Sequence, residues 1–502
     1  MKYLIGIDIG TSSTKTVLFD TLGNTIASSS AEYPMYQPQN GWAEQRPEDW
    51  WNATVSTLKQ VTKEVNPSDI VGVGLAGQMH GLVMLNEGGE VIRPAIIWCD
   101  GRTSEECDEI TEKVGKKRLI DITANPAIAG FTASKILWIQ HHEPENYSLC
   151  RHILLPKDYV RYRLTGVFAT DASDASGMQL LDIKMRDWSD EVLQKLNIDK
   201  NLLPKVYESP EVTGKITDEA GSLTGLLSGT IVVGGAGDNA AAAVGTGVVE
   251  DGKAFTTIGT SGVVFAHTSK MNIDPLGRVH TFCAAVPNEW HVMGVTQAAG
   301  LSLKWFRDNF CESELAVSKS MGVDVYYLMN TIAEKSKIGC DRLIYLPYLM
   351  GERTPHLNPN ARGVFFGLSA MHTKGDMLRA VMEGVSYSLM DCLMVLKDMG
   401  ISTSDMVVCG GGGNSSLWRA MLADVYDCAV KTMISNEGAA LGAAILAGVG
   451  AGVFVDVVDG CGKIIKAKTN QKPSKENVEE YKKYYALYKK LYPCLVSCFD
   501  EI

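Results

Sequence analysis

The predicted fold is α/β, with two related domains and a cleft between them, and two observations carry it. The chain opens as strand, glycine turn, strand, turn, strand, helix, strand: "YLIGID", "IGTSS", "TKTVLFD", "TLGN", "TIASSSAEY", "RPEDWWNATVSTLKQVTKEV", "IVGVGLAG". The same order begins again half a chain later. There "KAFTTIGTSGVVFAHTS" reads strand, turn, strand, and a third strand lies in "VHTFCAAV" or "WHVMGVT". A helix follows at "GLSLKWFRDNF", and "DMVVCGGGGNSSLWRAMLADVY" reads strand, glycine loop, helix. The short match between "IGTSSTKTVLF" and "IGTSGVVFA" heads both runs. Its position favours an internal duplication over the chance likeness of one turn.

Each element has a local reason. The first helix has Pro47 near its start, acidic residues in its first turn and apolar residues at helical spacing. The uncharged run "GAALGAAILAGVGAGVFV" approaches the length of a membrane span, but its glycines make it a buried, close-packed helix. The segment "SKENVEEYKKYYALYKKLYPCLVSCF" reads as a charged amphipathic helix that closes the fold. The boundary is expected near Gly247–Asp251. This divides the chain into an N-terminal domain at 1–247, a second domain at 248–450, and a helical segment at 451–502.

Composition limits the partners. With 502 residues, 45% hydrophobic and 21% charged, the chain has the make-up of a globular protein of several domains. A net charge of −11 argues against nucleic acid and against an anionic membrane as steady partners. It leaves phosphate open, because backbone amides bind phosphate without a basic surface. The 12 cysteines are scattered and hold no CxxC pair, so they read as reduced and intracellular. Asp8 lies where a signal peptide would need an apolar core, and a cytoplasmic location is expected. The residues do not give the oligomeric state, and a homodimer stays open.

Four stretches carry chemistry. Asp8 ends the first strand, and Gly10-Thr11-Ser12 turns into the second. Such a turn presents N–H and O–H donors to phosphate oxygens, or is an ordinary hairpin. It is neither a GxxxxGK[ST] loop nor a dinucleotide fingerprint, because it leads to a strand. Gly259, Thr260 and Ser261 form a second such turn. Gly411, Gly412 and Gly413 follow a buried strand, where a flat adenine can approach the backbone. Finally, "GGAGDNAAAAVG" places the lone charge Asp238 between a strand and a small-residue helix. It reads as a helix cap or as a catalytic base. The alanines after it read as clearance for substrate. Transfer of phosphate from ATP to a hydroxyl needs positioning, charge stabilisation and a carboxylate that takes the proton. On that reading Asp8 would hold Mg²⁺ through water.

Together these residues resemble the FGGY family of carbohydrate kinases over nearly the whole chain. The resemblance rests on "GIDIGTSSTK", "GWAEQRPEDWW", "GLAGQMHG", "RPAIIWCDGR", "LLPKDYVRYRLTG", "GGAGDNAAAAVG", "IGTSG", "LPYLMGERTPH", "RGVFFGL" and "GGGGNSSLWRAMLADV", in that order. It implies two duplicated ribonuclease H-like (actin-like ATPase) domains around an interdomain cleft. It also implies ATP and Mg²⁺ as cofactors and D-xylulose as the acceptor, giving D-xylulose 5-phosphate. By position it makes Asp238 the general base, Asp8 a catalytic carboxylate near Mg²⁺, and Met79 and His80 sugar contacts, with Asp100 and Asn239 further sugar-side residues. The ATP contacts fall on Thr11, Ser12, Gly259, Thr260, Ser261, Gly411, Gly412, Gly413 and Asn414. The chain departs from the family at Gly413-Asn414 and at Ala236. Other acceptors (ribulose, gluconate, glycerol) are the alternative within the family, and a nucleotide-gated clamp ATPase is the alternative outside it.

The remaining polar residues have plainer readings. Glu352 and Arg353 read as an inter-element salt bridge that holds the second domain, in preference to an exposed or cleft-lining pair. Trp50 and Trp51 are expected as one core ring and one half-exposed ring. Trp42 and Gln45 line a sugar pocket or a structural loop, and Lys15 approaches a phosphate or decorates a strand.

Overall fold

The computed structural model describes residues 1–501, which build two seven-stranded sheets with helices packed on them. The first sheet begins with the predicted meander, β1 (Tyr3–Ile9), β2 (Ser13–Asp20) and β3 (Thr25–Glu32). Helix α1 (Pro47–Val61) then crosses to β4 (Ile70–Gly77), which lies parallel to β1. Helix α2 (Thr132–His142) belongs to the long excursion that follows. The sheet is completed by β5 (Val212–Lys215), β6 (Ile231–Val233) and the short β7 (Ala236–Gly237), and α3 (Asp238–Thr246) leaves from the last of these.

The second half repeats the plan. It comprises β8 (Gly252–Ile258), β9 (Gly262–Thr268), β10 (His280–Cys283), β11 (Trp290–Thr296), α4 (Gly300–Phe310), α5 (Val325–Ala333), β12 (Thr403–Cys409), α6 (Ser416–Tyr426), β13 (Ala429–Met433), α7 (Gly438–Gly450), β14 (Ala467–Gln471) and α8 (Lys475–Phe499). The sheet orders are β5-β6-β4-β1-β2-β3 and β10-β11-β9-β8-β12-β13-β14. Read from the meander outward, β3-β2-β1-β4-β6-β5 matches β11-β9-β8-β12-β13-β14. The parallel pairs β1/β4, β4/β6, β8/β12 and β12/β13 correspond, and an antiparallel strand closes each run. Both strands proposed for the third position exist: β11 pairs with β9, and β10 is an added edge strand. Strand β14 lies in the segment expected to be purely helical.

Period-two alternation explains how the first sheet is buried on both faces. Ile5, Ile7 and Ile9 pack with Trp50 and Leu58 of α1 on one face. Leu4 and Gly6 turn to the other face, which is covered by α7 from the second half of the chain. The approach is backbone to backbone: a β-carbon on Gly6 would lie 1.8 Å from the Ala440 carbonyl oxygen, and one on Gly74 2.0 Å from that of Ala443. The uncharged glycine-rich run is a buried, close-packed helix over Gly438–Gly450, as its composition predicts, while residues 451–455 leave the helix and end on the exposed Val455. The alanines after Asp238 serve helix packing: Ala240 and Ala241 are buried in the crossing of α3 with α7, Ala243 packs with Phe131, Val248 and Phe255, and Ala242 stays half-buried.

One smaller reading is also corrected. Trp50 and Trp51 are both buried, because Trp50 donates to Gln45 and Arg163 covers the ring of Trp51. None of the 12 cysteines is in a disulfide. Among the described residues, no helix is long and apolar enough to cross a membrane.

Candidate active site

The register of the first sheet brings the two predicted carboxylates to one edge. Asp8 pairs with Ala76 of β4, and Ala236 and Gly237 pair with Ala76 and Gly77 from the other side. Asp8 and Asp238 therefore lie at strand ends on either side of β4, with backbones roughly 10 Å apart across the sheet. Asp8 shares the face of Gly6, so it points toward the start of α7. It is pushed up to about 7, first by burial and then by the Asp238 carboxylate, with Lys15 opposing and Glu437 adding. Its Oδ1 is buried and has no hydrogen-bond partner among the described residues.

Asp238 is the first helical residue of α3, while Gly237 is the cap and, lacking a side chain, makes no side-chain capping bond. The cap alternative therefore fails. Oδ1 of Asp238 accepts the backbone N–H of Asn239 at 2.7 Å and its side-chain amide at 3.0 Å. Oδ2 has no protein hydrogen bond among the described residues. Burial raises this carboxyl to about 6, against the two bonds from Asn239. One oxygen is held and the other is free, which suits a base near neutral pH.

Met79 and His80 follow β4 directly. Met79 packs on Gly237, where a β-carbon would lie 2.9 Å from its sulfur, so only glycine lets the base strand approach. The His80 ring stacks on Phe131 at 4.4 Å and 15° and meets the Gly177 carbonyl through Nδ1 at 2.6 Å. Burial holds this imidazole down at about 3, so it is neutral.

Asp100 lies close enough to Lys135, which holds the His80 carbonyl, to favour the charged form of that amine. Its carboxylate is spent on the protein: Oδ1 accepts from the Arg102 backbone and Nε, and Oδ2 from Arg102 Nη2 and the Ala43 amide. This holds the Arg102 guanidinium flat on the ring of Trp42, 3.6 Å from its centroid.

The two GTS turns differ in their surroundings. The turn at Gly10-Thr11-Ser12 is fastened from below: Gln45 donates to Thr11 O, and Tyr33 and Gln78 to Gly10 O. The Thr11 hydroxyl accepts from Trp98 Nε1, and Ser12 is exposed. Gln45 is buried, and the half-buried Trp42 meets Trp138 edge to face and carries the Arg102 guanidinium. The second turn opens on a cavity of about 760 Å³, lined by Gly259, Thr260, Gly411, Gly412 and Asn414. Ser261 is outside this lining. Gly413 is buried beneath, against Val408.

Two family models match the chain: the N-terminal domain of the FGGY family of carbohydrate kinases over residues 3–245, and the C-terminal domain over 254–451. The chain belongs to the FGGY family of carbohydrate kinases. It is 39% identical to a xylulose kinase of Bacillus subtilis (strain 168), over 98% of this chain and 97% of that protein. It is 41% identical to a xylulose kinase of Escherichia coli (strain K12), over 89% and 90%. The ligand-bound xylulose kinase of Lactobacillus acidophilus superposes with a TM-score of 0.93 at 28% identity, covering 100% of both chains.

Several site residues of this carbohydrate kinase carry no signal in its sequence. Glu437, just before α7, forms a 2.5 Å ion pair with Lys15 and adds negative charge beside Asp8. Lys304 of α4 and Tyr326, Tyr327 and Asn330 around α5 line the nucleotide-sized cavity. Their helices lie far along the chain from any glycine turn. The expected Glu352–Arg353 salt bridge is absent. Glu352 instead accepts from Thr296, Ser388 and two backbone amides, and Arg353 has no ion-pair partner among the described residues.

Proposed function

We propose that this carbohydrate kinase transfers the γ-phosphoryl group of ATP to the 5-hydroxyl of D-xylulose, giving D-xylulose 5-phosphate and ADP. The observation that carries this reading is Asp238, whose Oδ1 is held by Asn239 while Oδ2 is free, and whose neighbour Gly237 packs on Met79. The hydroxyl proton passes to Asp238 Oδ2 as the sugar oxygen bonds to the γ-phosphorus. The bond from that phosphorus to the bridging oxygen of ADP breaks. The 760 Å³ cavity takes the nucleotide, with adenine on Gly411 and Gly412 and the phosphates toward the Gly259-Thr260 turn. Thr11 and Ser12 meet the phosphates from the first half as the cleft closes, and closure keeps water from the phosphoryl group.

The unpartnered Asp8 Oδ1 is a hard oxygen donor that suits Mg²⁺ through water. Among the described residues, no group of three or more His, Cys, Asp or Glu could hold a metal by itself, so the nucleotide phosphates would complete the set. The bound ion neutralises phosphate charge. Acceptor choice rests on "GQMHG" and on the xylulose kinases that this chain resembles across its length.

The test is ADP release across a panel of pentuloses, hexuloses, gluconate and polyols. D-xylulose should give the highest kcat/KM, and a higher value with ribulose, gluconate or glycerol would reassign the acceptor. ATP turnover that rises with an unfolded peptide and needs no sugar would favour a clamp ATPase.

A further inference from the structure

Lys135 of α2 is fully buried, yet no carboxylate lies within ion-pair distance of it among the described residues. Its Nζ donates to two backbone carbonyls, His80 O at 2.8 Å and Gly130 O at 2.8 Å. The Thr132 hydroxyl donates to the same His80 carbonyl at 3.1 Å. One helical start, residues 131–135, thus supplies two donors to His80 and, in Phe131, the ring on which its imidazole stacks.

His80 needs this support. Its φ is +67°, a left-handed conformation that a bulky residue holds only where its surroundings impose it. The tautomer is set by the same enclosure. The Gly177 carbonyl can only accept, so Nδ1 carries the proton and Nε2 keeps its lone pair. That nitrogen has no partner among the described residues. Burial lowers Lys135 to about 7, and even the neutral amine retains the two N–H donors that the carbonyls require.

We propose that Lys135 is a positioning residue for acceptor recognition: with Thr132 it fixes the backbone of His80 so that the Nε2 lone pair accepts a hydroxyl of the sugar. Lys135 touches neither sugar nor nucleotide and acts only through His80. The inference rests on the reading of His80 as a sugar-side group.

The experiment is a double-mutant cycle on the full chain: Lys135→Met, His80→Ala and the pair, with D-xylulose and ATP varied separately and folding checked by thermal unfolding. Lys135→Met should raise KM for the sugar about tenfold and leave KM for ATP unchanged. In the His80→Ala background the same change should add less than about twofold. Equal effects in both backgrounds, or a parallel rise in KM for ATP, would overturn the clamp and leave Lys135 a general structural residue. An unchanged sugar KM in Lys135→Met alone would also overturn it. An unchanged sugar KM in His80→Ala would instead remove the sugar-side reading beneath it. If Lys135→Met does not fold, Lys135→Gln, which cannot span both carbonyls, is carried through the same cycle and judged by the same outcomes.

Discussion

Gly245 and Gly442 meet backbone to backbone. A β-carbon on either would lie 3.0 Å from the amide nitrogen of the other, and 1.8 Å from a carbonyl oxygen of the opposing helix. Here the helix that carries Asp238 crosses the helix that covers the first sheet, so the crossing sets where the base stands. Gly442→Ala should push the two helices apart. Overpacking of this kind costs about 1–3 kcal/mol, and contact with backbone gives little room to relax. Urea unfolding should show the midpoint falling with an unchanged slope. An unchanged midpoint would mean that the helices can separate freely.

Asp238→Asn keeps the shape of the side chain and removes the base. We expect kcat to fall by about 10²–10⁴-fold, while the nucleotide, bound on the other half of the chain, keeps its affinity. Steady-state rates with calorimetric titration of ATP separate the two effects. Turnover near the unmodified rate would remove Asp238 from its role.

The sequence carried the plan of the sheets well, for a physical reason. Apolar alternation and glycine turns are local, and both meanders announce themselves in ten to twenty residues. Strand β14, "AKTNQ", is exposed and polar at a sheet edge, so no alternation marks it. Helix α7 could be read as buried, but its partner could not. Gly6 and Gly74 are matched to it by contact across the whole chain. In the site, residues next to a turn or a strand end, such as Asp8 and Asp238, were legible. Glu437 and Lys135 were not, because their value comes from what the fold packs beside them. Glu352 and Arg353 show the converse: adjacency in sequence suggested a pair, while the chain sends the two side chains to different neighbours.

Burial sets the pH range of the reaction. Asp238 must be ionised to take a proton, and its carboxyl titrates at about 6. In the free enzyme, kcat/KM for the sugar should therefore rise with pH through about 6 and level off only above about 7, where Asp8 too is ionised. A pH profile with no limb between about 5 and 7 would show that Asp238 keeps an ordinary carboxylate pKa.

Glu352 gives the opposite sign, in stability. It is buried, and burial raises its carboxyl from 4.5 to about 7, against hydrogen bonds from Thr296, Arg353, Gln297 and Ser388. The folded chain thus binds a proton more tightly here than the unfolded chain. The contribution to stability is fully present below the unfolded pKa of 4.5 and is lost as pH rises through about 7. At about 1.4 kcal/mol per unit, the loss is roughly 3 kcal/mol by about pH 8. Glu352→Gln can still accept both backbone amides through its oxygen, and it carries no charge to desolvate. Its melting temperature should match that of the unmodified protein at about pH 5 and exceed it at about pH 8. Calorimetric melts at the two pH values decide the matter. A variant that melts lower by the same margin at both would mean that the charged hydrogen bonds outweigh the burial of the carboxylate.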